Sequence, residues 1–356
     1  MKLDNKNILV IGNSRTDKTR NFILPLLNNL DDNKNYVIIN QGNITDIAKN
    51  KIEEAGYKVR SFDLQNISNS MKYNPLAYVK TPEDVEIIVN TFMNTFKRTQ
   101  QDDGYWDVNI KYLLWVILEL ICFDYRQIKV EKTLTSCIEI LNRISDDRSL
   151  LRKYVSNSEN LHLKGLFDIF KKHNAPDTLD NVIIGLTVNL SMLYFSQINE
   201  LIANDEMDLT NFTNEKSVLF IKTIDFDWTV HSLANTLLAQ VLNLIYKTEN
   251  SRYTEFILDE ISYFYEIDKL PLYLKEKNIM SFVLTTQTTD SIAKVKEVLQ
   301  NIDEIYMLKI FDTDTLSCLA KNYADITTTD KEYINRMPDS EYVLLKPGIK
   351  PEYIKV

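Results

Sequence analysis

Ile8-Leu9-Val10-Ile11-Gly12-Asn13-Ser14-Arg15-Thr16-Asp17-Lys18-Thr19 is the stretch on which the fold turns. Four successive apolar residues suit a strand covered on both faces, as in a parallel sheet, rather than a half-solvated strand. Gly12 ends the run. A helix starts near Asp17 and carries Phe22, Ile23, Leu26, Leu27 and Leu30, with Pro25 bound to kink or shorten it. Strand, glycine turn and helix form the context in which backbone N–H groups at a helix N-terminus close around a phosphate. The motif for such a loop reads G-x-x-x-x-G-K-[ST]. Gly12, Lys18 and Thr19 stand at its spacings, and Asp17 stands where its second glycine belongs. Read this way, Lys18 reaches the β- and γ-phosphates and the Thr19 hydroxyl holds Mg²⁺.

Asp17 works against that use. A side chain in a left-handed conformation costs about 1–2 kcal/mol. A second unit charge ~4 Å from a phosphate repels by about 4 kcal/mol at an effective dielectric of about 20, roughly a thousandfold in affinity. Asp is also a good N-cap, so its carboxylate can take the N–H groups that a phosphate needs, and can pair with Lys18. Two readings therefore stand: a nucleotide loop with a weakened cradle, and a strand followed by an Asp-capped helix that binds no nucleotide.

Tyr36-Val37-Ile38-Ile39 is a second strand, 44–54 a helix with Gly56 just past its end as a C-terminal cap, and 58–62 a third strand. This βαβαβ order implies a parallel sheet with right-handed crossovers. From Thr81 to about Leu209 the periodicity is helical, with helices expected at 104–125, 132–144, 147–155, 161–172 and 177–204. Strands return at 217–221, 256–258, 281–284, 305–308 and 342–345. The predicted fold is α/β, a mostly parallel sheet interrupted by an all-α insertion. Its expected boundaries are 1–97, 98–212 and 213–356.

Two further constellations lie at predicted strand ends, where ligands of open α/β sheets gather. Phe256-Ile257-Leu258-Asp259-Glu260 is an apolar run ending in paired carboxylates. In a Walker B motif Asp259 holds Mg²⁺ through water and Glu260 polarises the attacking water; a plain core strand whose carboxylates cap the next helix is the alternative. Gln287, in Thr285-Thr286-Gln287, can sense a γ-phosphate or orient water, or belong to an ordinary strand-to-helix turn.

Composition narrows the field. Only 7 residues are glycine, where average usage near 7% would give roughly 25. Collagen-like and low-complexity classes are excluded. The net charge of −9 does not suit a generally cationic nucleic-acid binder. Three widely spaced cysteines favour free thiols in a reducing compartment, and three scattered histidines propose no zinc site. The longest apolar run, 112–123, includes Glu119 and is too short for a membrane span. No signal peptide is visible in the sequence.

In this order the pieces resemble the TraG/VirD-type coupling proteins of conjugation and type IV secretion, which are RecA-like P-loop ATPases. The resemblance rests on 7–20, on Glu54-Ala55-Gly56-Tyr57-Lys58-Val59, on Tyr73-Asn74-Pro75-Leu76-Ala77-Tyr78, on Trp106, on Phe256 to Glu260 and on Gln287. It implies a RecA-like sheet, ATP and Mg²⁺ as cofactors, and an all-α domain that engages DNA or a relaxosome. It also implies other secretion components as partners and a hexamer, or a hetero-oligomer with a full coupling protein. Departures are equally specific. Asn13, Arg15 and Asp17 stand where family loops tend to have glycine, and Asn40-Gln41-Gly42-Asn43 stands for the family's charged turn. Lys275 and Lys277 stand where arginines that reach a neighbouring subunit are expected, and lysine lacks the bidentate fork. The family usually begins with transmembrane helices, and none is seen here. The chain is thus expected in the bacterial cytoplasm or at the inner face of the cell membrane. It is expected to act as a coupling-protein-like ATPase with impaired nucleotide binding or, alternatively, as an inactive paralogue that serves assembly of the transfer machinery.

Overall fold

β1 (Ile8–Ile11) lies inside a nine-stranded sheet of order β3-β4-β2-β5-β6-β1-β7-β8-β9. The other strands are β2 (Lys34–Asn40), β3 (Lys58–Asp63), β4 (Ser217–Lys222), β5 (Tyr253–Leu258), β6 (Met280–Thr286), β7 (Glu304–Met307), β8 (Glu341–Leu345) and β9 (Glu352–Lys355). The computed structural model describes all residues except 1–4, 14, 15, 17, 98–103, 174–177, 225–227, 262–268, 293, 294, 339, 340 and 356. Strands β4, β2, β5, β6, β1 and β7 pair in parallel, whereas β8 and β9 run antiparallel at the edge. The strands read as continuous apolar runs are buried along their whole length, as parallel strands covered on both faces must be. The sequence reading missed β9, whose residues Glu352-Tyr353-Ile354-Lys355 are largely exposed and carry no buried run to detect.

On one face, Ile23, Leu26 and Leu27 meet Tyr36, Ile38, Val218, Phe220, Ile257 and Val283, together with Ile44, Ala48 and Ile52 from the helix Ile44–Glu54. That helix ends as its glycine predicts. Gly56 takes φ +82°, its N–H donates to Glu53 O, and Tyr57 N–H donates to Ile52 O. This is the paired closure of a Schellman cap. Pro25 has a visible effect upstream. Thr19–Ile23 is a π-helical turn, closed by Leu24 N–H donating to Thr19 O, and only Leu24–Leu27 continues as α-helix. A proline clashes with the carbonyl four residues earlier, and a widened turn relieves that clash.

The contacts divide the chain into two compact units. One comprises Met1–Ser61, Leu209–Lys222 and Leu242–Val356; the other comprises Phe62–Asp208 and Thr223–Val241. The boundary expected at 97 therefore falls inside the second unit. Between β3 and β4 the described residues form helices and no strand. The single helix expected over 177–204 is three pieces, Leu179–Asn189, a 3₁₀ turn Ser191–Tyr194, and Ser196–Ala203. Phe195 between them is extended. The apolar spacing continues through both breaks, so periodicity could not show them. Tyr73-Asn74-Pro75-Leu76 proves to be a packing element of the second unit. The Tyr73 hydroxyl donates to Gln240 Oε1 at 2.5 Å, Asn74 Oδ1 caps Leu76 N–H, and Asn74 Nδ2 donates to Lys132 O.

Inside the first unit, Lys34 Nζ lies 3.0 Å from Glu255 Oε2, with side chains only 10% and 4% exposed. Burial pushes the Glu255 carboxyl above its ordinary range, and Lys34 opposes that shift. Removing one partner of such a pair costs about 3–5 kcal/mol, whereas replacing both with apolar groups is often neutral. Lys34→Met is therefore expected to lose about that much stability in urea denaturation, and Lys34→Met/Glu255→Met to recover most of it. In the single variant Glu255 has a raised folded-state pKa. Its deficit should shrink at low pH, where the carboxyl is neutral, and grow as pH rises through that pKa.

Candidate functional site

Parallel register brings the ends of β1, β5 and β6 to one edge of the sheet, with Ile11 opposite Thr286 and Leu258 opposite Leu284. The chain leaves β1 pinned between its neighbours: Gly12 N–H donates to Thr286 O at 3.1 Å and Asn13 N–H to Lys309 O at 3.2 Å. A Cβ at position 12 would sit 2.6 Å from Thr16 Oγ1 and 2.8 Å from Leu308 Cβ. Only glycine fits there, and this is the one glycine of the loop that the sequence keeps.

Lys18 is buried, and its ammonium donates to Gly12 O at 2.8 Å and Asn13 O at 3.3 Å. It also pairs with Glu260 Oε1 at 3.2 Å. The loop lysine is thus satisfied by its own loop and by the carboxylate opposite it. Thr19 Oγ1 donates to Asp259 Oδ2 at 2.9 Å. Thr285 Oγ1 donates to Asp259 Oδ1 and accepts from Glu260 N–H, both at 2.8 Å. Gln287 Nε2 donates to Glu260 Oε2 at 3.0 Å. Burial raises the Asp259 carboxyl above its usual range, while hydrogen bonds from Thr285 and Thr19 pull it back and the Glu260 charge adds to the rise. Glu260 itself has φ +58°, a conformation costly for a residue with a side chain and recurrent at functional sites.

The structure therefore gathers Gly12, Lys18, Thr19, Asp259, Glu260 and Gln287 at one edge. Ser14, Arg15 and Asp17 lie outside the described residues, and so does the self-capping reading of Asp17. Lys275 and Lys277 do not join the group. They precede the start of β6, at the amino edge of the sheet, where Lys277 Nζ pairs with Asp303 Oδ1 at 2.5 Å. Asn40 stands where a charged turn was expected, and its side chain donates to Gly42 O at 2.7 Å. Sequence reasoning gave Thr285 no part of its own. Its signal was available: a hydroxyl in an apolar strand, fully buried, needs a partner. Thr285→Val keeps the shape but strands the Glu260 N–H and leaves the buried Asp259 Oδ1 without its donor. A loss of about 1–3 kcal/mol is expected in chemical denaturation, with Thr285→Ser close to wild type.

Among the described residues no cluster of three His, Cys, Asp or Glu could hold a metal; His162 instead pairs with buried Glu119 at 2.5 Å. No helix among them is long and apolar enough to cross a membrane.

A strand-loop-helix with its lysine and threonine, facing paired carboxylates on the strand two places away in the sheet, defines a P-loop NTPase. The profile of the family described as Type IV secretory system Conjugative DNA transfer matches residues 2–282, and the chain belongs to that family. Solved structures agree on the fold. The bacterial conjugative coupling protein TrwB in its unbound form is 11% identical at TM-score 0.63, over 99% of this chain and 84% of that one. TrwB in complex with ADP and Mg²⁺ gives 11% and 0.62, over 99% and 84%. VirB4 of Thermoanaerobacter pseudethanolicus gives 13% and 0.60, over 98% and 88%. The fold is accordingly the RecA-like P-loop NTPase fold. No curated protein sequence matches the chain.

Proposed function

We propose that the chain is a coupling-protein-like ATPase of conjugative DNA transfer whose nucleotide binding is weakened by its own loop. The observation that carries this reading is the hydrogen-bonded path Thr19–Asp259–Thr285–Glu260, which joins the phosphate loop to both strand-end carboxylates. The donor set fits Mg²⁺. Thr19 Oγ1 and Asp259 Oδ2 are hard oxygen donors already hydrogen-bonded to each other at 2.9 Å, the ligand type Mg²⁺ takes; Thr19 would hold the ion directly and Asp259 through water. When bound, the ion neutralises charge on the phosphate oxygens.

The chain's own groups do the rest. Lys18 exchanges its contacts with Gly12 O and Asn13 O for phosphate oxygens. Glu260 takes a proton from water as that water's oxygen bonds to the terminal phosphorus and the bond to the bridging oxygen breaks, releasing ADP and phosphate. Gln287 holds the Glu260 carboxylate in place. The partners proposed are DNA or a relaxase-bound DNA and other secretion components, with a ring of six copies, or a mixed ring with a full coupling protein, as the working assembly. In such a ring Lys275, exposed at the opposite edge, is the lysine to test for a reach into a neighbouring copy.

A second reading, an assembly subunit that does not hydrolyse ATP, draws on the Lys18 contacts: a lysine satisfied by loop carbonyls and Glu260 has less to gain from a phosphate. Calorimetry with Mg·ATP, followed by steady-state hydrolysis with single- and double-stranded DNA, separates the two. DNA-stimulated turnover supports the motor. Absence of both binding and turnover sinks it in favour of the assembly subunit.

A further inference from the structure

The chain leaving β7 runs beside the phosphate loop for several residues. Leu308 N–H donates to Ile11 O at 2.8 Å, and Lys309 O accepts from Asn13 N–H at 3.2 Å. Ile310 is then fully buried. Asp312 caps the helix Thr313–Asn322 by accepting from Asp314 N–H and Thr315 N–H. Between these two anchors stands Phe311, with 65% of its surface exposed. Lys309 Nζ lies 5.5 Å from its ring centroid. Burying a phenylalanine is ordinarily favourable, and this one is held out of the core by a segment fixed on both sides. Its backbone lies two residues, about 7 Å of extended chain, past the carbonyl that touches the loop.

We infer that Phe311, backed by Lys309, is the stacking platform for the base of the bound nucleotide. The inference rests on the nucleotide-binding reading above and assigns that site a recognition element outside the phosphate motif. A planar base with a π-face gains from an exposed aromatic ring whose backbone is already fixed, so only the side chain remains to be ordered. Lys309 lies over the ring, and with 65% of the residue exposed the ring offers surface for a base. The division of labour also suits this loop. A cradle short of glycines and carrying Asp17 holds phosphates poorly, so affinity drawn from the base offsets part of that deficit. The platform favours large purines over pyrimidines, because the larger base covers more of the ring.

The test is calorimetry on the full chain with Mg·ATP and, separately, with Mg·tripolyphosphate, for wild type, Phe311→Ala and Phe311→Trp. Base–aromatic stacking is worth about 1–3 kcal/mol by alanine substitution, about five- to 150-fold in affinity. Phe311→Ala is expected to weaken ATP within that range while leaving tripolyphosphate unchanged. Phe311→Trp is expected to bind ATP at least as well as wild type, with its fluorescence quenched by ATP and not by tripolyphosphate. Equal ATP affinity in wild type and Phe311→Ala overturns the platform, and so does an equal loss for both ligands, which marks a disturbed loop. If wild type binds neither ligand, the nucleotide reading fails and the platform falls with it.

Discussion

Glu260→Gln is expected to bind Mg·ATP more tightly than wild type while turning it over about 100- to 10,000-fold more slowly. The two effects have separate causes. Glu260 Oε1 pairs with Lys18 at 3.2 Å, so the carboxylate competes with phosphate for the loop's cation and adds a like charge beside it. An amide keeps the size and the contact with Gln287 but gives up that charge, and affinity rises several-fold. The same amide cannot accept the proton of the attacking water, and turnover falls. Calorimetry and single-turnover hydrolysis measure the two halves independently. Unchanged turnover would remove Glu260 from the chemistry, and unchanged affinity would show that the Lys18 pair does not oppose nucleotide.

Asp17→Gly is expected to raise the affinity for Mg·ATP by up to roughly a thousandfold. The figure follows from a repulsion of about 4 kcal/mol between unit charges ~4 Å apart at an effective dielectric of about 20. Glycine also frees the N–H groups that an aspartate can cap. The comparison needs Asp17→Asn as its control. Asparagine removes the charge but keeps a capping oxygen, so it should recover the electrostatic part alone. Competition against a fluorescent nucleotide ranks the three proteins. Equal affinity in all three would mean that position 17 faces away from the phosphates, and the glycine deficit would lose its functional meaning.

Much of this molecule could be read from its residues, for physical reasons that differ from place to place. The buried strands were legible because parallel strands covered on both faces leave continuous apolar runs such as Ile8–Ile11 and Ser217–Lys222. Gly56 was legible as a cap because its left-handed conformation admits few other residues. Gly12, Lys18, Thr19, Asp259, Glu260 and Gln287 were legible because strand ends at one edge of a parallel sheet must converge. Edge strand β9 was not, because its largely exposed residues leave no buried run to detect. The breaks at Leu190 and Phe195 were not, because backbone turns that keep the apolar spacing are invisible to periodicity. That Thr285 needs a partner was legible from a hydroxyl in an apolar strand, but which partner was not, because that depends on register with β5, which pairing sets and local sequence does not.

The left-handed backbone of Glu260 has a consequence for how this chain tolerates mutation. A non-glycine residue there costs of order 1–3 kcal/mol, a sizeable share of the 5–15 kcal/mol by which proteins are usually stable. Glycine at 260 would shed that burden and also the carboxylate. Selection for abundance alone therefore pulls position 260 toward glycine, and the hydrolytic role proposed for Glu260 pulls it back. In a chain with only 7 glycines, position 260 is one where glycine would ease folding and where the role proposed for Glu260 forbids it.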